Sequence, residues 1–397
     1  MSGPLQGMRV LDAGNMIAGP MAATLLADLG ADVIKLEHPV HGDPLRDWGP
    51  KKEGLSLWWK VLNRNKRLIT LDLSKEEGKL LFLDLVAQSD VVLENFRAGT
   101  FERWGLSYDQ LREVNPKIVF VRVSGYGQTG PSAGKPGYGT IAEAMSGVPY
   151  FTGPKDAAPT LPGFPLADSV TAVFGAFSAM AGLYERDHAS GLGQTVDLSL
   201  FESLFRLVDS QVIGFDQLGK IKERDGNRLE EDAPRNTYST QEGKWIAISA
   251  SSNKTWARLA QAMGQPELAD DPRFCTSSAR VKNVEVLDQA IQGWFGTLVY
   301  DDAIAIMEQY DIVGGPIMDI ADIFEDPQYA AREAIVSVAD DDFESVKMQN
   351  VVPKFSRTPG EIRHSGSGVG AHNEDVYINV LGKNAEDMER LQEGGVI

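Results

Sequence analysis

The sequence predicts an α/β fold, with a large domain on a mostly parallel sheet and a smaller α/β domain set into the chain. Three observations carry this. Short apolar runs alternate with helix-length segments through residues 8–124. The runs are continuous, as in IVFVRVS at 118–124, which suits strands covered on both faces. A charged, turn-rich stretch, KIKERDGNRLEEDAP, then separates this pattern from a second one. The boundaries read as 1–219 for the large domain, 220–235 for a linker, 236–328 for the small domain and 329–397 for a return to the large one.

Met8–Asp12 reads as a strand, Gly14–Gly19 as a turn, Pro20–Leu29 as a helix and Ala31–Leu36 as a second strand. This is a β-α-β unit of Rossmann type, and Glu37 closes it where a ribose-binding acid often stands. The glycines, however, are spaced GxxxxG (Gly14, Gly19), with no GxGxxG, which argues against a nicotinamide site. Leu68–Leu71, Asp90–Glu94 and Ile118–Ser124 are further strands. Lys75–Gln88 is a helix, and Thr100–Trp104 and Ser107–Val114 are helical turns. Ile141–Ser146 is a short helix. Ser169–Tyr184 carries apolar groups at helical spacing (Val170, Val173, Phe174, Phe177, Met180, Ala181), with Asp168 at or beside its N-cap. Thr195–Leu200 alternates as a strand, and Phe201–Leu218 reads as one long apolar helix. In the second domain a hairpin turns at Gly243, Lys254–Met263, Asn283–Leu298 and Tyr300–Tyr310 are amphipathic helices, and Ile312–Ile317 is a return strand. Ile335–Val338 and Lys347–Val351 are strands, and a helix near Asn373–Leu381 closes the chain.

Composition narrows the function. At 397 residues, 43% hydrophobic and 24% charged, the chain has an ordinary globular balance and room for two domains. The expectation is that no apolar run approaches the ~20 residues of a membrane span. MSGPLQGMRVLD lacks the pattern of a secretory signal, so a cytoplasmic enzyme is expected. The single cysteine, Cys275, excludes an intrachain disulfide, and the five histidines (His38, His41, His188, His364, His372) have no metal-ligand spacing. A net charge of −18 argues against nucleic acid and anionic membranes as partners. A polyanionic ligand would need a local basic patch, for which Arg64, Lys66, Arg67, Arg97 and Arg103 are the candidates.

Asp168 admits two readings from its neighbours alone. An Asp ahead of a helix is commonly a cap, because its carboxylate accepts orphan N–H bonds. The same helix terminus favours the ionised form, which can serve as a nucleophile.

PLADSVTAVFGAF followed by GLGQTVDLSLFESL resembles the class III CoA-transferases, the CaiB/BaiF family that includes formyl-CoA transferase. LDAGNMIAGPMAATLLADLGADVIKLEHP, DVVLENFRAGTFERWGL, NPKIVFVRVSGYGQTGP, GYGTIAEAMSG and VGGPIMDIADIFEDPQY resemble it in the same order, so the likeness spans nearly the whole chain. The resemblance implies a Rossmann-like large domain, a small α/β domain and an interlocked homodimer. It implies no permanent cofactor, with CoA and acyl-CoA as substrates and a carboxylate as acceptor. Asp168 would attack the acyl-CoA thioester and carry CoA as an aspartyl thioester. Met16 and Ile17 would line the thioester end, with Ile17 where formyl transferases have Gln. His38 would stand where an Arg often meets CoA, Leu71 beside adenine, Asn95 and Phe96 in the ENF motif, and Arg103 and Trp104 at phosphate and pantetheine. Ser74 stands where formyl transferases have Lys, with Lys75 adjacent. Tyr138, also a contact, stands where acyl-CoA racemases of the same superfamily have His, and Gly139 where they have Asp. A tyrosine of ordinary pKa ~10 is a poor proton carrier near neutral pH, which disfavours the α-methylacyl-CoA racemase alternative. A non-catalytic CoA-binding protein is a third reading, opposed by retention of Asp168. Ile17 and Ser249–Ser252 (SASS) point to a short dicarboxylic acceptor such as succinate, mesaconate, citramalate or malate; for SASS itself a loop cap is the favoured role.

Overall fold

The computed structural model describes residues 3–397. Six strands form one sheet: β1 (Arg9–Asp12), β2 (Asp32–Glu37), β3 (Lys66–Thr70), β4 (Val91–Glu94), β5 (Val119–Ser124) and β6 (Thr195–Ser199). Their order is β3-β2-β1-β4-β5-β6 and every neighbouring pair is parallel. Consecutive residues feed opposite faces, as the two-residue period of a strand requires. Leu11, Ile34, Ile69, Val92 and Phe120 pack with helix Glu76–Val86 and with Val376 and Tyr377 from the end of the chain. Val10, Val33, Val91, Val119 and Val121 face the other way, against helices α1 (Ala18–Asp28) and, further along, Leu166–Glu185. Burial on both faces is the physical reason the strands read as unbroken apolar runs.

The strand order reverses between β1 and β4, where open α/β sheets usually take ligands. Here a side chain occupies that crevice. The Asn95 amide accepts from Asn15 N–H at 2.7 Å and donates to the Asn15 carbonyl at 2.8 Å. Gly14 leaves the space for it, since a Cβ at 14 would stand 2.9 Å from Asn95 Oδ1.

Below this loop lies a cluster of buried charges. Lys66 Nζ donates to Asp12 Oδ2 at 2.8 Å, Pro20 O at 2.7 Å and Asn63 Oδ1 at 3.1 Å. Lys35 Nζ donates to the Gly14 carbonyl and pairs with Asp43 at 2.9 Å. Asp43 accepts Met16 N–H at 3.0 Å, and Glu37 accepts the Asp43 N–H at 3.1 Å and two nitrogens of Arg46 at 2.7 Å each. Burial opposes ionisation of Lys35 and Asp43, but the opposite charges around them prevail, so the amine is held above its usual value and the carboxyl below. Burial wins at Lys66, pushed down to about 8.

Several sequence expectations change. Strand β3 starts at Lys66 rather than Leu68, because ion pairs make its charged residues compatible with a sheet. The expected long helix 201–218 is two, Leu200–Phe205 and Gln211–Leu218, interrupted near Asp209, whose φ is +55°. The closing segment contains a wide turn at Asp375–Val380 and a further capped helix, Ala385–Glu393. Leu166–Ser190 is, at 25 residues, long and apolar enough to cross a membrane, contrary to expectation. In this fold it packs on α1 and the sheet.

The chain divides into two compact units, one of residues 3–149, 161–220 and 330–397, the other of 150–160 and 221–329. The second unit holds an antiparallel sheet ordered β9-β8-β7: β7 (Arg235–Ser239), β8 (Trp245–Ser249) and β9 (Gly314–Pro316). Its core gathers Tyr238, Ile246, Ile248, Trp256, Leu259, Phe274, Leu287, Ile291 and Phe295. Ser252 caps helix Asn253–Ala262 through Thr255 N–H at 3.1 Å, the favoured role for that part of SASS.

The buried cluster predicts unequal costs for two aspartates. Asp12→Ala leaves Lys66 without its carboxylate in the interior and is expected to cost about 3–5 kcal/mol. Asp32→Ala, at partly exposed pairs with Arg9 and Arg67, is expected to cost about 1 kcal/mol or less. Urea denaturation of the two variants against the parent checks this; equal losses would sink it.

Candidate active site

Helix α1 is followed along the chain by α2 (Glu76–Val86), α3 (Gly139–Ser146) and α4 (Leu166–Glu185). Asp168 stands third in α4, whose N-cap is Pro165. The expectation of a capping Asp on a strand-to-helix turn is therefore corrected on both counts. Residues 161–165 form no strand, and no side chain caps the helix. Asp168 lies instead within the first turn, where unpaired N–H groups favour an anion, and its carboxylate accepts from its own backbone N–H.

The side chain is half-buried against α3. Any Cβ at Gly139 would overlap Asp168 Oδ2, so one carboxylate oxygen abuts a residue that has none. One turn further along α3, Glu143 is buried and accepts the Ala167 N–H at 3.3 Å. Burial first, and the Glu143 charge second, push the Asp168 carboxyl from 3.8 up to about 6. A carboxylate raised by burial beside a second one, at a helix N-terminus, has the marks of a reacting group. Tyr138, immediately before α3, is 73% exposed.

A cavity of about 330 Å³ lies at the carboxyl ends of β2 and β3. It gathers four of the expected contacts, His38, Leu71, Phe96 and Trp104, together with Asn15 and Ser74. Phe96 and Trp104 meet edge to face at 5.1 Å, and Phe101 behind them ties the pair to the core. His38 Nδ1 accepts the N–H groups of Val40 at 3.1 Å and His41 at 3.3 Å. Those acceptances assign the neutral ring's proton to Nε2, which faces Asp72 at 3.8 Å. Ser74 is bonded to Asp72 at 2.6 Å, and Lys75 turns to the Gly394 and Gly395 carbonyls.

Asn95, Met16 and Ile17 do not line this cavity. Asn95 fixes Asn15, Met16 holds φ +63°, a conformation costly for a residue with a Cβ, and Ile17 is buried at the start of α1. Arg103 is exposed, bonded to Thr100 Oγ1 at 2.8 Å, and does not line the cavity. The expected basic patch is corrected too: Lys66 is interior, Arg64 is spent on Asp28, and Arg67 on Asp32 and Asp375. Among the described residues no group of three or more His, Cys, Asp or Glu could hold a metal ion. Sequence reasoning overlooked Glu143, although its place four residues after Gly139 in GYGTIAEAMSG was a usable signal.

Comparison with known proteins fits this geometry. The family model described as CoA-transferase family III matches residues 5–373. The chain is 44% identical to succinyl-CoA–D-citramalate CoA-transferase of Chloroflexus aurantiacus, over 99% of this chain and 98% of that one. It is 34% identical to formyl-CoA:oxalate CoA-transferase of Streptomyces coelicolor, over 99% of each. Among solved structures, a CaiB/BaiF family protein from Brucella suis superposes with a TM-score of 0.85 at 32% identity, over 96% of this chain and 100% of that one. The chain belongs to CoA-transferase family III and is a CoA-transferase.

Proposed function

We propose that this enzyme moves CoA between short dicarboxylic acids, of the succinate, citramalate, malate and mesaconate kind, through an aspartyl-CoA thioester on Asp168. The observation that carries the reading is the Asp168 carboxylate, lodged on Gly139 beside Glu143 in the first turn of α4. Relatives named for succinyl-CoA with D-citramalate or L-malate, at 44% and 41% identity over 99% of the chain, support the substrate class.

The chemistry balances without redox change. An Asp168 oxygen attacks the thioester carbonyl, the C–S bond breaks and CoA thiolate leaves a mixed anhydride. The thiolate attacks the Asp168 Cγ, releasing the donor carboxylate and leaving the aspartyl-CoA thioester. The acceptor carboxylate then attacks Cγ and expels thiolate, which takes the acceptor's acyl carbon and frees Asp168. Four easier displacements replace one difficult transfer. The cavity at β2 and β3 would hold CoA, its apolar walls taking the adenine and its loop Asn15–Ile17 approaching the thioester. Gly139 argues against the racemase alternative, because a glycine offers no side chain to serve as a second proton carrier. The large face left apolar on α4 (Val173, Phe177, Tyr184) and on helix Gln211–Leu218 (Val212, Ile213, Phe215) supports a homodimer.

Three outcomes are expected. Asp168→Asn and Asp168→Ala abolish transfer while the protein stays folded, and an acyl-CoA donor followed by hydroxylamine modifies the Asp168 peptide of the parent alone. An Asp168→Asn enzyme with near-normal turnover and no reversion to Asp by mass spectrometry would falsify the mechanism.

The raised carboxyl also fixes two pH dependences. Transfer needs the anion, so kcat/KM falls as pH drops below about 6. Glu143→Gln removes a negative neighbour and moves that limb to lower pH. Because the folded value of Asp168 is above its ordinary 3.8, ionisation weighs against the folded state at high pH and not below pH 3.8. Asp168→Asn should therefore raise Tm at pH 8, with the gain vanishing toward pH 4; a gain that grows on acidification contradicts the assignment.

The enzyme is expected to sediment as a two-chain species at nanomolar concentration. A stable one-chain mass there rules out the dimer.

A further inference from the structure

The second unit has a cavity of its own, of about 500 Å³. Arg235, Asn227, Thr237, Ser249, Gly314 and Gly315 line it, and no acidic residue does. Arg235 is half-buried at the start of β7. It gives one Nη1 hydrogen to the Asn227 carbonyl, and among the described residues no carboxylate lies within 4 Å of it. The half-buried Arg9, Arg46, Arg67, Arg186, Arg228 and Arg258 each pair with a carboxylate, whereas half-buried Arg224 and buried Arg280 donate to backbone carbonyls. With a net charge of −18, acids are not scarce.

The neighbouring polar groups are already committed elsewhere. Asn227 donates to Thr237 Oγ1 at 2.8 Å and Asn236 to Asp288 at 2.9 Å. Asp288, the nearby acid, is taken by Arg228 at 2.9 Å and by the Tyr238 hydroxyl at 2.6 Å. Arg235 thus brings to the cavity a cation whose Nε and Nη2 are bonded to no protein acceptor, beside the apolar Ala247 and Val313. A planar fork of N–H donors matches the two oxygens of a carboxylate better than a point charge would.

We infer that this cavity binds the free carboxylate of a short organic acid, with Arg235 as its recognition residue and the apolar wall taking the carbon skeleton. The choice of acid rests on the carboxylate-transferring reading above; the anion site itself does not.

The test uses the full chain with no CoA thioester present, so no turnover contributes, and succinate as the probe. Calorimetric titration should give saturable binding that Arg235→Gln weakens by about ten- to a hundredfold, the range for losing charge-assisted hydrogen bonds. Arg235→Lys, which keeps the charge but not the fork, should fall between. Thermal melts control for folding, and the Arg235 Nε–H resonance of the parent should shift with succinate whatever the variants do. Absence of saturable binding, an unmoved resonance, undiminished binding by Arg235→Gln, or equal displacement by inorganic phosphate would each overturn the assignment. Arginine-dependent binding in a protein that transfers CoA between no donor and acceptor would leave this site standing and sink the transferase chemistry instead.

Discussion

The architecture hangs on charges buried together among β1, β2 and β3, where Lys66 reaches from the amino end of β3 to Asp12 at the carboxyl end of β1. Lys35 and Lys66 are fully buried, and each is tolerated only because a carboxylate and backbone carbonyls receive it. The acids in turn reach the loop after β1: Asp12 accepts the Gly14 N–H at 3.1 Å and Asp43 the Met16 N–H. An apolar core of the same volume would pack the sheet, but it would offer nothing directional to hold Met16 at φ +63°. The loop that approaches the cavity is held from below by electrostatics and from the side by Asn95.

This arrangement also explains how a dinucleotide-type sheet serves a different ligand. The strand order is that of the nucleotide-binding folds, yet the crevice between β1 and β4 is filled by the Asn95 amide. Space opens one strand over, toward β2 and β3, where His38, Leu71 and Phe96 meet. The missing GxGxxG and the filled crevice are one fact seen in sequence and in space, because Gly14 makes room for a side chain rather than for a pyrophosphate.

The parallel sheet was legible because its strands are buried on both faces, leaving apolar runs such as Val91–Leu93 and Val119–Val121. Two features resisted the same logic. Lys66 and Arg67 looked like solvent-facing charges, since local sequence cannot reveal that Asp12 and Asp32 lie across the strands from them. Asp168 looked like a cap because it precedes an apolar helical pattern, yet the helix begins at Leu166. In the candidate site, His38, Leu71, Phe96 and Trp104 came together around one cavity. Arg103 did not, because a four-residue helix turns it outward to Thr100. Glu143 escaped notice because a glutamate in a short helix is ordinary until its burial is known.

The contact between Gly139 and Asp168 has a bearing on how this scaffold can diversify. With the carboxylate where it lies, a Cβ at 139 would stand 2.0 Å from Asp168 Oδ2, so the carboxylate must turn aside to admit one. The two positions are therefore coupled: a side chain acquired at 139 and the orientation of Asp168 change together. Tyr138, open to solvent, carries no such coupling. Substitution at the tyrosine should thus leave the Asp168 carboxylate in place, whereas substitution at the glycine moves it.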